Sequence, residues 1–248
     1  MNLFEPTTPL PAVQLATDEA LLDWCEAGHG GEAMTFWEPA ETFVVVGYAN
    51  KVAREVNVAA CEARGVPIFR RCSGGGAVVQ MPGGLNYSLI LRIDENGPTR
   101  NISSANQFIM RQNAAALQSA LPLRGAFQVA VKGHTDLALV QPDGTIRKFA
   151  GNSQRRLKRF LLFHGTLLLN CDLSVLRDLL PMPSLQPDYR GGRTHDEFVT
   201  NLGLSAESVK AALARAWGAT ETPASPPLEE IEKLAREKYA ARDWNHKF

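Results

Sequence analysis

Arg70-Arg71-Cys72-Ser73-Gly74-Gly75-Gly76-Ala77-Val78 is the stretch on which the reading of this 248-residue sequence turns. Three consecutive glycines let backbone amides approach a ligand closely. The run lies between two strand-like segments, Pro67 to Arg71 before it and Ala77 to Val79 after it. The paired arginines supply fork-shaped cationic donors suited to phosphate or carboxylate. This is not a Walker loop, which needs G-x-x-x-x-G-K-[ST], and no G-x-G-x-x-G opens a helix here. Taken alone it fits an anion cradle or a flexible loop flanked by solvated arginines.

Working outward, Thr17-Asp18-Glu19 reads as a helix start, a capping hydroxyl followed by acids over the first turn, with Leu21, Leu22 and Trp24-Cys25 as the apolar stripe. Met34 to Trp37 and Phe43 to Tyr48 read as strands, the second a continuous apolar run suited to burial on both faces. Val56 to Arg64 reads as a short helix ended by Gly65, Leu85 to Ile93 as a strand, and Ile102 to Leu121 as the longest helix. From Phe127 to Cys171 the pattern is an antiparallel meander: Thr135 to Val140, a Pro-Asp-Gly turn at 142 to 144, Ile146 to Ala150, and Phe160 to Leu169. Pro181, Pro183, Pro187 and Gly191-Gly192 mark a loop region, and Ser205 to Trp217 and Leu228 to Ala241 read as closing helices. The expected fold is α+β, with mixed, largely antiparallel sheets flanked by helices. One domain over 1–248 is expected, a core of about 15–220 with a helical tail over 221–248 and no separate accessory domain.

Two further segments carry chemistry. Lys148-Phe149-Ala150-Gly151-Asn152-Ser153-Gln154-Arg155-Arg156 leaves the Pro-Asp-Gly turn, and a strand lysine has a fixed direction from which its ammonium can stabilise charge developing on a carbonyl or phosphate oxygen. The plain alternative is a lysine facing water. Phe163-His164-Gly165-Thr166-Leu167 is an apolar strand interrupted by polar residues, and a strand glycine often marks close backbone approach, although a satisfied core histidine fits as well. Asp136 stands between apolar strand residues, where it pairs Lys148 or an arginine, or merely ends a strand. Arg155, Arg156, Lys158 and Arg159 form the densest basic run, a solvated face or a greeting for an acidic partner.

Composition sets the outer limits. Lys plus Arg and Asp plus Glu both number 26, so no net field recommends nucleic acid. The start has no basic and apolar leader, and no apolar run of about eighteen residues occurs, so a cytoplasmic protein without membrane contact is expected. Cys25, Cys61, Cys72 and Cys171 are scattered without C-x-x-C spacing, which suggests reduced thiols and no zinc site.

Together these segments resemble the lipoate-protein ligase A branch of the biotin/lipoate protein ligase superfamily. The family's R-R-x-S-G-G-G-A-V run is similar to Arg70 to Val78, its L-N-x-S strand to Leu85-Asn86-Tyr87-Ser88, and its D-L strand to Asp136-Leu137. Its K-x-x-G-x-[AS]-x-R stretch resembles Lys148 to Arg155, its H-G-T-L-L strand His164 to Leu168, and its K-Y…W-N tail Lys238-Tyr239 and Trp244-Asn245. The resemblance implies a two-step reaction. Lipoate or octanoate is activated by ATP with Mg2+ to acyl-AMP, such as lipoyl-AMP, and the acyl group passes to a lysine of a lipoyl carrier domain of the 2-oxoacid dehydrogenase E2 or glycine cleavage H protein type. No permanently bound cofactor is implied. Lys148 is then the catalytic residue. Arg70, Arg71, Ser73, Gly74, Gly75, Gly76, Ala77, Asn86, Asp136, Gly151, Asn152, Ser153, His164, Gly165 and Thr166 form the substrate and nucleotide site. Val44 to Val46 and Val78-Val79 would wall a tunnel for the aliphatic chain.

The sequence departs from the family pattern where Gln80-Met81 replaces a usual His-Asp, and where Gly47-Tyr48-Ala49-Asn50 replaces a G-R-x-Q type of turn. A family ligase also carries a C-terminal accessory domain needed for activation, so a separate accessory subunit is expected if this chain adenylates. The rival is an ATP-independent octanoyl or lipoyl transferase with a cysteine nucleophile. Phe127 to Thr145 holds no cysteine, Cys171 lies on a strand that reads as core, and Cys72 belongs to the glycine loop, so a cysteine mechanism finds no support in the spacing. A noncatalytic acyl- or nucleotide-binding member is a third reading. A biotin ligase would show a G-R-G-R-type loop, which is missing.

Overall fold

The computed structural model describes residues 1–6, 8–121, 127–221 and 226–248. In chain order the elements are β1 (Asn2–Phe4), α1 (Pro11–Ala27), β2 (Ala33–Trp37), β3 (Phe43–Val46), α2 (Val52–Glu55), α3 (Val58–Arg64), β4 (Ile68–Arg70), β5 (Val78–Gln80) and β6 (Gly84–Arg92). There follow α4 (Ile102–Ala120), β7 (Gln128–Lys132), β8 (Asp136–Val140), β9 (Ile146–Arg156), β10 (Phe160–Leu168), α5 (Ser174–Leu179), α6 (His195–Phe198), α7 (Ala206–Trp217), β11 (Thr220–Glu221), α8 (Leu228–Leu234) and α9 (Arg242–Asn245). A large sheet runs β11-β1-β2-β6-β10-β9-β8-β7, and a small one runs β4-β3-β5. Antiparallel pairs dominate the large sheet, which makes the fold α+β as expected.

The large sheet is buried on both faces. On one, Leu85, Tyr87, Leu89, Phe163 and Leu167 pack against Ile109, Met110 and Leu117 of α4 and Val209 and Leu213 of α7. On the other, α1 places Leu21, Leu22 and Cys25 on Ile90, Phe160 and Leu162. Because strand side chains alternate, the register decides which residues share a face. Trp37 pairs Asn86, Asn86 pairs Thr166, Thr166 pairs Gly151, and Gly151 pairs Asp136. The neighbouring row on that face is Thr35, Ser88, His164 and Ser153. Most of the polar residues singled out in the sequence thus fall on adjoining rows of one face, beneath α1 and the small sheet.

Several expectations need correction. Helix α1 begins at Pro11, not Thr17, because proline is well placed in a first turn, where its missing N–H costs nothing. Thr17, Asp18 and Glu19 are therefore mid-helix and buried rather than capping. The helix expected over Val56 to Arg64 runs Val58–Arg64, capped by the Asn57 side chain accepting from Ala60 N, and a further short helix, Val52–Glu55, precedes it. The meander gains β7, and the last helix passes into a π-type turn at Ala235–Tyr239 before α9. Within the expected tail, residues 222–225 lie outside the described ones. Among the described residues no helix is long and apolar enough to cross a membrane.

Burial of acids in α1 demands partners. Glu19 accepts from Lys238 Nζ at 2.7 and 2.9 Å, from Tyr239 Oη at 2.8 Å and from Arg155 Nη1. Burial by itself would raise the Glu19 carboxyl, but the hydrogen bonds of Lys238 and Arg155 outweigh it and hold the group below its usual range. A carboxylate with a depressed native pKa adds stability that is present above its unfolded value and is lost as pH falls through the native one. Glu19→Gln should cost about 3 kcal/mol at pH 7. Chemical denaturation should show that gap narrowing as pH falls below 4.5.

Candidate active site

A cavity of about 490 Å³ opens between the polar rows of the large sheet, the small sheet and the segment after α5. Of the residues expected at a site, Arg71, Gly75, Gly76, Ala77, Asn86, Asp136, Lys148, Gly151, Asn152, Ser153, His164, Gly165 and Thr166 line it. Arg70, Ser73 and Gly74 do not. Another groove, of about 550 Å³, lies outward against α4 and is lined by no titratable side chain.

Arg70 is the clearest departure from expectation. Its side chain is fully buried and donates to main-chain carbonyls: Gly47, Tyr48 and Asn50 through Nη1, Trp244 through Nε and Asn245 through Nη2, at 2.8–3.1 Å. It is a structural cation under the glycine loop, not a ligand contact. Arg71 lines the cavity, yet in this state its guanidinium also serves the loop. Nη2 donates to Gly74 O at 2.5 Å and Gly76 O at 2.8 Å, and Nε donates to Ser73 Oγ at 3.2 Å. Burial lowers the guanidinium to about 10, so it stays cationic at neutral pH.

The loop's chemistry follows from where its carbonyls point. The Gly74 carbonyl is held by Arg71 and by Ser153 Oγ at 3.0 Å, and the Gly76 carbonyl by Arg71. In a planar trans peptide the next N–H points the opposite way. The amides of Gly75 and Ala77, both lining the cavity, are thus turned from Arg71, and among the described residues neither has an acceptor. Two amides without acceptors beside a cation are the elements of an anion-binding concavity. The loop seats against β3 only because Gly47 lacks a side chain, since a Cβ there would lie 2.0 Å from Gly75 O.

Lys148 reaches the cavity through a bulge. Pairing of β8 with β9 slips between Leu137 and Ala138, so that Leu137 faces Ala150 while Ala138 faces Lys148. The extra residue re-aims the lysine onto the face of Gly151, whose missing Cβ leaves room for Nζ, 2.9 Å from where that atom would be. The ammonium pairs with Asp136 Oδ1 at 2.7 Å, which settles the partner the sequence left open. Asp136 Oδ2 accepts from Tyr189 Oη at 2.8 Å. The lysine's freed carbonyl accepts from Thr200 N at 2.8 Å, tying the Leu180–Val199 side of the cavity to the same strand.

Gly165 has a similar steric reason. A Cβ there would lie 1.7 Å from Asn152 Oδ1. Asn152 accepts from Tyr87 Oη at 2.6 Å, and Asn113 donates to that same oxygen at 2.8 Å, so the strand glycine admits a hydrogen-bond chain into the core. Tyr87 is raised above its usual range by burial. The sequence reading missed Asp18, Trp37, Glu55, His134 and the wall from Leu176 to Val199. Asp18 stood inside an ordinary helical pattern, Glu55 just before one, and the wall carried only loop signals. Apolar lining comes from Leu15, Val45, Val78, Val79, Leu168 and Phe198, so the cavity joins an aliphatic part to a cationic, amide-rich part.

None of the cysteines lines the cavity. All four are buried, and burial pushes every thiol up, Cys25 and Cys72 to about 11. Among the described residues no group of three or more His, Cys, Asp or Glu could hold a metal.

An apolar pocket ending in outward amides and a lysine suits acyl transfer, and comparison with known proteins agrees. The model of the lipoyl protein ligase A/B catalytic domain matches residues 10–217, so the chain belongs to that family. It is 27% identical to octanoyltransferase LipM of Geobacillus kaustophilus, over 96% of this chain and 94% of that protein. It is 28% identical to lipoate–protein ligase 1 of Staphylococcus aureus, over 95% of this chain and 70% of that one. A chain from the structural analysis of a bi-partite lipoate protein ligase and its E2 lipoyl domain from Thermoplasma acidophilum shares the fold with a TM-score of 0.77 at 22% identity, covering 99% of this chain and 95% of that one. The chain is accordingly an enzyme of lipoyl or octanoyl attachment, a ligase or a related transferase.

Gly47→Ala should displace the loop at a cost of about 1–3 kcal/mol. The check is hydrogen exchange, which should quicken at Gly74 to Ala77 while the large sheet stays protected.

Proposed function

We propose that this chain is a lipoate-protein ligase that activates lipoate or octanoate with ATP and transfers it to a lysine of a lipoyl carrier domain. One observation carries the reading. Lys148 and the glycine loop, whose Gly75 and Ala77 amides have no acceptor among the described residues, line the same cavity, while every cysteine lies outside it with a raised thiol. That is a site built to hold a mixed anhydride, not to form a thioester.

In the first step a carboxylate oxygen of the acid attacks the α-phosphorus of ATP, and pyrophosphate leaves with the bonding pair. Mg2+ belongs to the MgATP substrate, where phosphate oxygens supply most of its ligands. Lys148 gives up Asp136 to meet the oxygens on which charge develops, and the Gly75 and Ala77 amides add fixed dipoles. In the second step the carrier lysine's amine attacks the acyl carbonyl, an amide forms, and AMP departs. Leu15, Val45 and Val78 hold the aliphatic chain. The carrier is of the E2 or H protein type, and a separate accessory subunit assists activation, a reading supported by the bi-partite ligase that shares this fold. The whole of 1–248 acts as one catalytic domain in the cytoplasm, where its thiols stay reduced.

The transferase reading keeps one specific support, the near end-to-end similarity to an octanoyltransferase. Exchange of labelled pyrophosphate into ATP separates the two. With octanoate present, the wild type should exchange, and Lys148→Ala should lose about 10²–10³-fold. Iodoacetamide at pH 8 should leave the rate unchanged, because all four thiols are buried and burial pushes each of them up, which keeps the reactive thiolate scarce. No exchange, with octanoyl transfer from a carrier protein that alkylation abolishes, would overturn the ligase reading.

A further inference from the structure

Asp18, His164 and Ser73 form a run of hydrogen bonds beside the cavity that neither step above uses. Asp18 Oδ2 lies 2.6 Å from His164 Nδ1, and His164 Nε2 lies 2.5 Å from Ser73 Oγ. The other Asp18 oxygen accepts from Ser88 Oγ. With Nδ1–H donating to the carboxylate, Nε2 accepts from the Ser73 hydroxyl. Ser73 Oγ in turn accepts from Arg71 Nε. The atom order is that of an acid, base and nucleophile. The placement is not: Ser73 is 2% exposed and absent from the cavity lining, while His164 and Asp18 do line it. A reacting carbonyl in the cavity meets the imidazole before it can meet the hydroxyl.

What the run does is join three separate parts of the chain, helix α1 through Asp18, strand β10 through His164 and the glycine loop through Ser73. Ser73 immediately precedes Gly74, whose carbonyl is taken by Arg71 and Ser153 and whose next amide, that of Gly75 in the cavity lining, has no acceptor among the described residues. A run of three glycines loses more conformational freedom on ordering than any other residues would. Fixing one backbone residue costs about 1–2 kcal/mol, so a loop left unheld would charge that cost to each ligand it binds.

We propose that Asp18 and His164 are positioning residues that hold Ser73, and through it keep the glycine loop in the conformation that turns the Gly75 and Ala77 amides toward the acyl-phosphate group. Where the proposal concerns the acyl-phosphate it rests on the ligase reading of the same cavity. Asp18 is the key member, because its carboxylate selects the imidazole tautomer on which the Ser73 bond depends.

The test uses Asp18→Asn, Ser73→Ala and the double variant in the full chain, with octanoate as the probe. Holding a loop ready favours ground and transition states alike, so each single variant should raise KM for octanoate in pyrophosphate exchange about tenfold, with kcat within about threefold. The double variant should be no worse than the poorer single, since both act through His164. Hydrogen exchange at Gly74 to Ala77 should quicken in each single variant, while a strongly deshielded His164 ring proton disappears in Asp18→Asn. A kcat collapse in Ser73→Ala at unchanged KM would overturn the proposal and give the hydroxyl a chemical role, and additive effects would overturn the shared route through His164. If the wild type shows no exchange into ATP but transfers octanoyl from a carrier protein in a way that alkylation abolishes, the ligase reading falls by itself. Hydrogen exchange then decides the positioning role alone: faster in Asp18→Asn upholds it, unchanged defeats it.

Discussion

A guanidinium with no access to water must be met by oxygens on every side, and satisfying Arg70 organises the surroundings of the site. Its donors gather carbonyls from the Gly47–Asn50 turn and from Trp244 and Asn245 near the chain's other end. Trp244 Nε1 returns a bond to the Arg70 carbonyl at 2.8 Å, and Asn245 Oδ1 accepts from Arg70 N at 2.9 Å. The residue just before the loop is thereby fixed in position and direction, which leaves Arg71 able to curl over the glycines. The C-terminal segment is part of the loop's foundation.

A second charge, of opposite sign, works from above. Glu19 draws Lys238, Tyr239 and Arg155 together, and Lys238 also lies 4.0 Å from the centre of the Trp244 ring. Tail, helix α1 and strand β9 therefore meet around one carboxylate. Its neighbour Asp18 projects from the next position of the helix toward β10 and engages His164 instead. Two adjacent acids on one helix thus serve different parts of the site, and both depend on the helix starting early enough to place them mid-length.

Much of this was legible in the sequence because it is local. Glycines at Gly74 to Gly76 and Gly165, the lysine leaving a Pro-Asp-Gly turn, and the ordered polar strands each announce themselves within a few residues, and the structure gathers nearly all of them on one cavity. What was not legible depends on distant partners. Nothing near Arg70 says whether its head meets water or five carbonyls, three of them twenty or more residues away and two near the C-terminus. Spacing alone places Lys148 and Gly151 on opposite faces of β9, and only the slipped pairing with β8 reunites them. Asp18 and Glu19 were mistaken for a first turn because prolines at 9 and 11 read as loop, although a proline fits a helix's opening position.

The two departures from the family pattern bear on whether this chain has kept a working site, and the geometry explains how both are tolerated. At Gly47-Tyr48-Ala49-Asn50 the contribution to the loop is made by main-chain carbonyls and by the missing side chain of Gly47, so the residues at 48 to 50 can vary while Arg70 stays satisfied. At Gln80 the side-chain amide exchanges two bonds of 2.8 Å with Asn86 and donates to Thr166, which itself donates to Asn86 at 2.6 Å. That neutral ring meets most of its own hydrogen-bonding demand on the cavity floor without bringing in a charge. Neither substitution withdraws an amide from the loop or the ammonium from Lys148. The change at Gln80-Met81 is what favours a noncatalytic reading, and the bonds of Gln80 to Asn86 and Thr166 leave the lysine and the loop amides untouched.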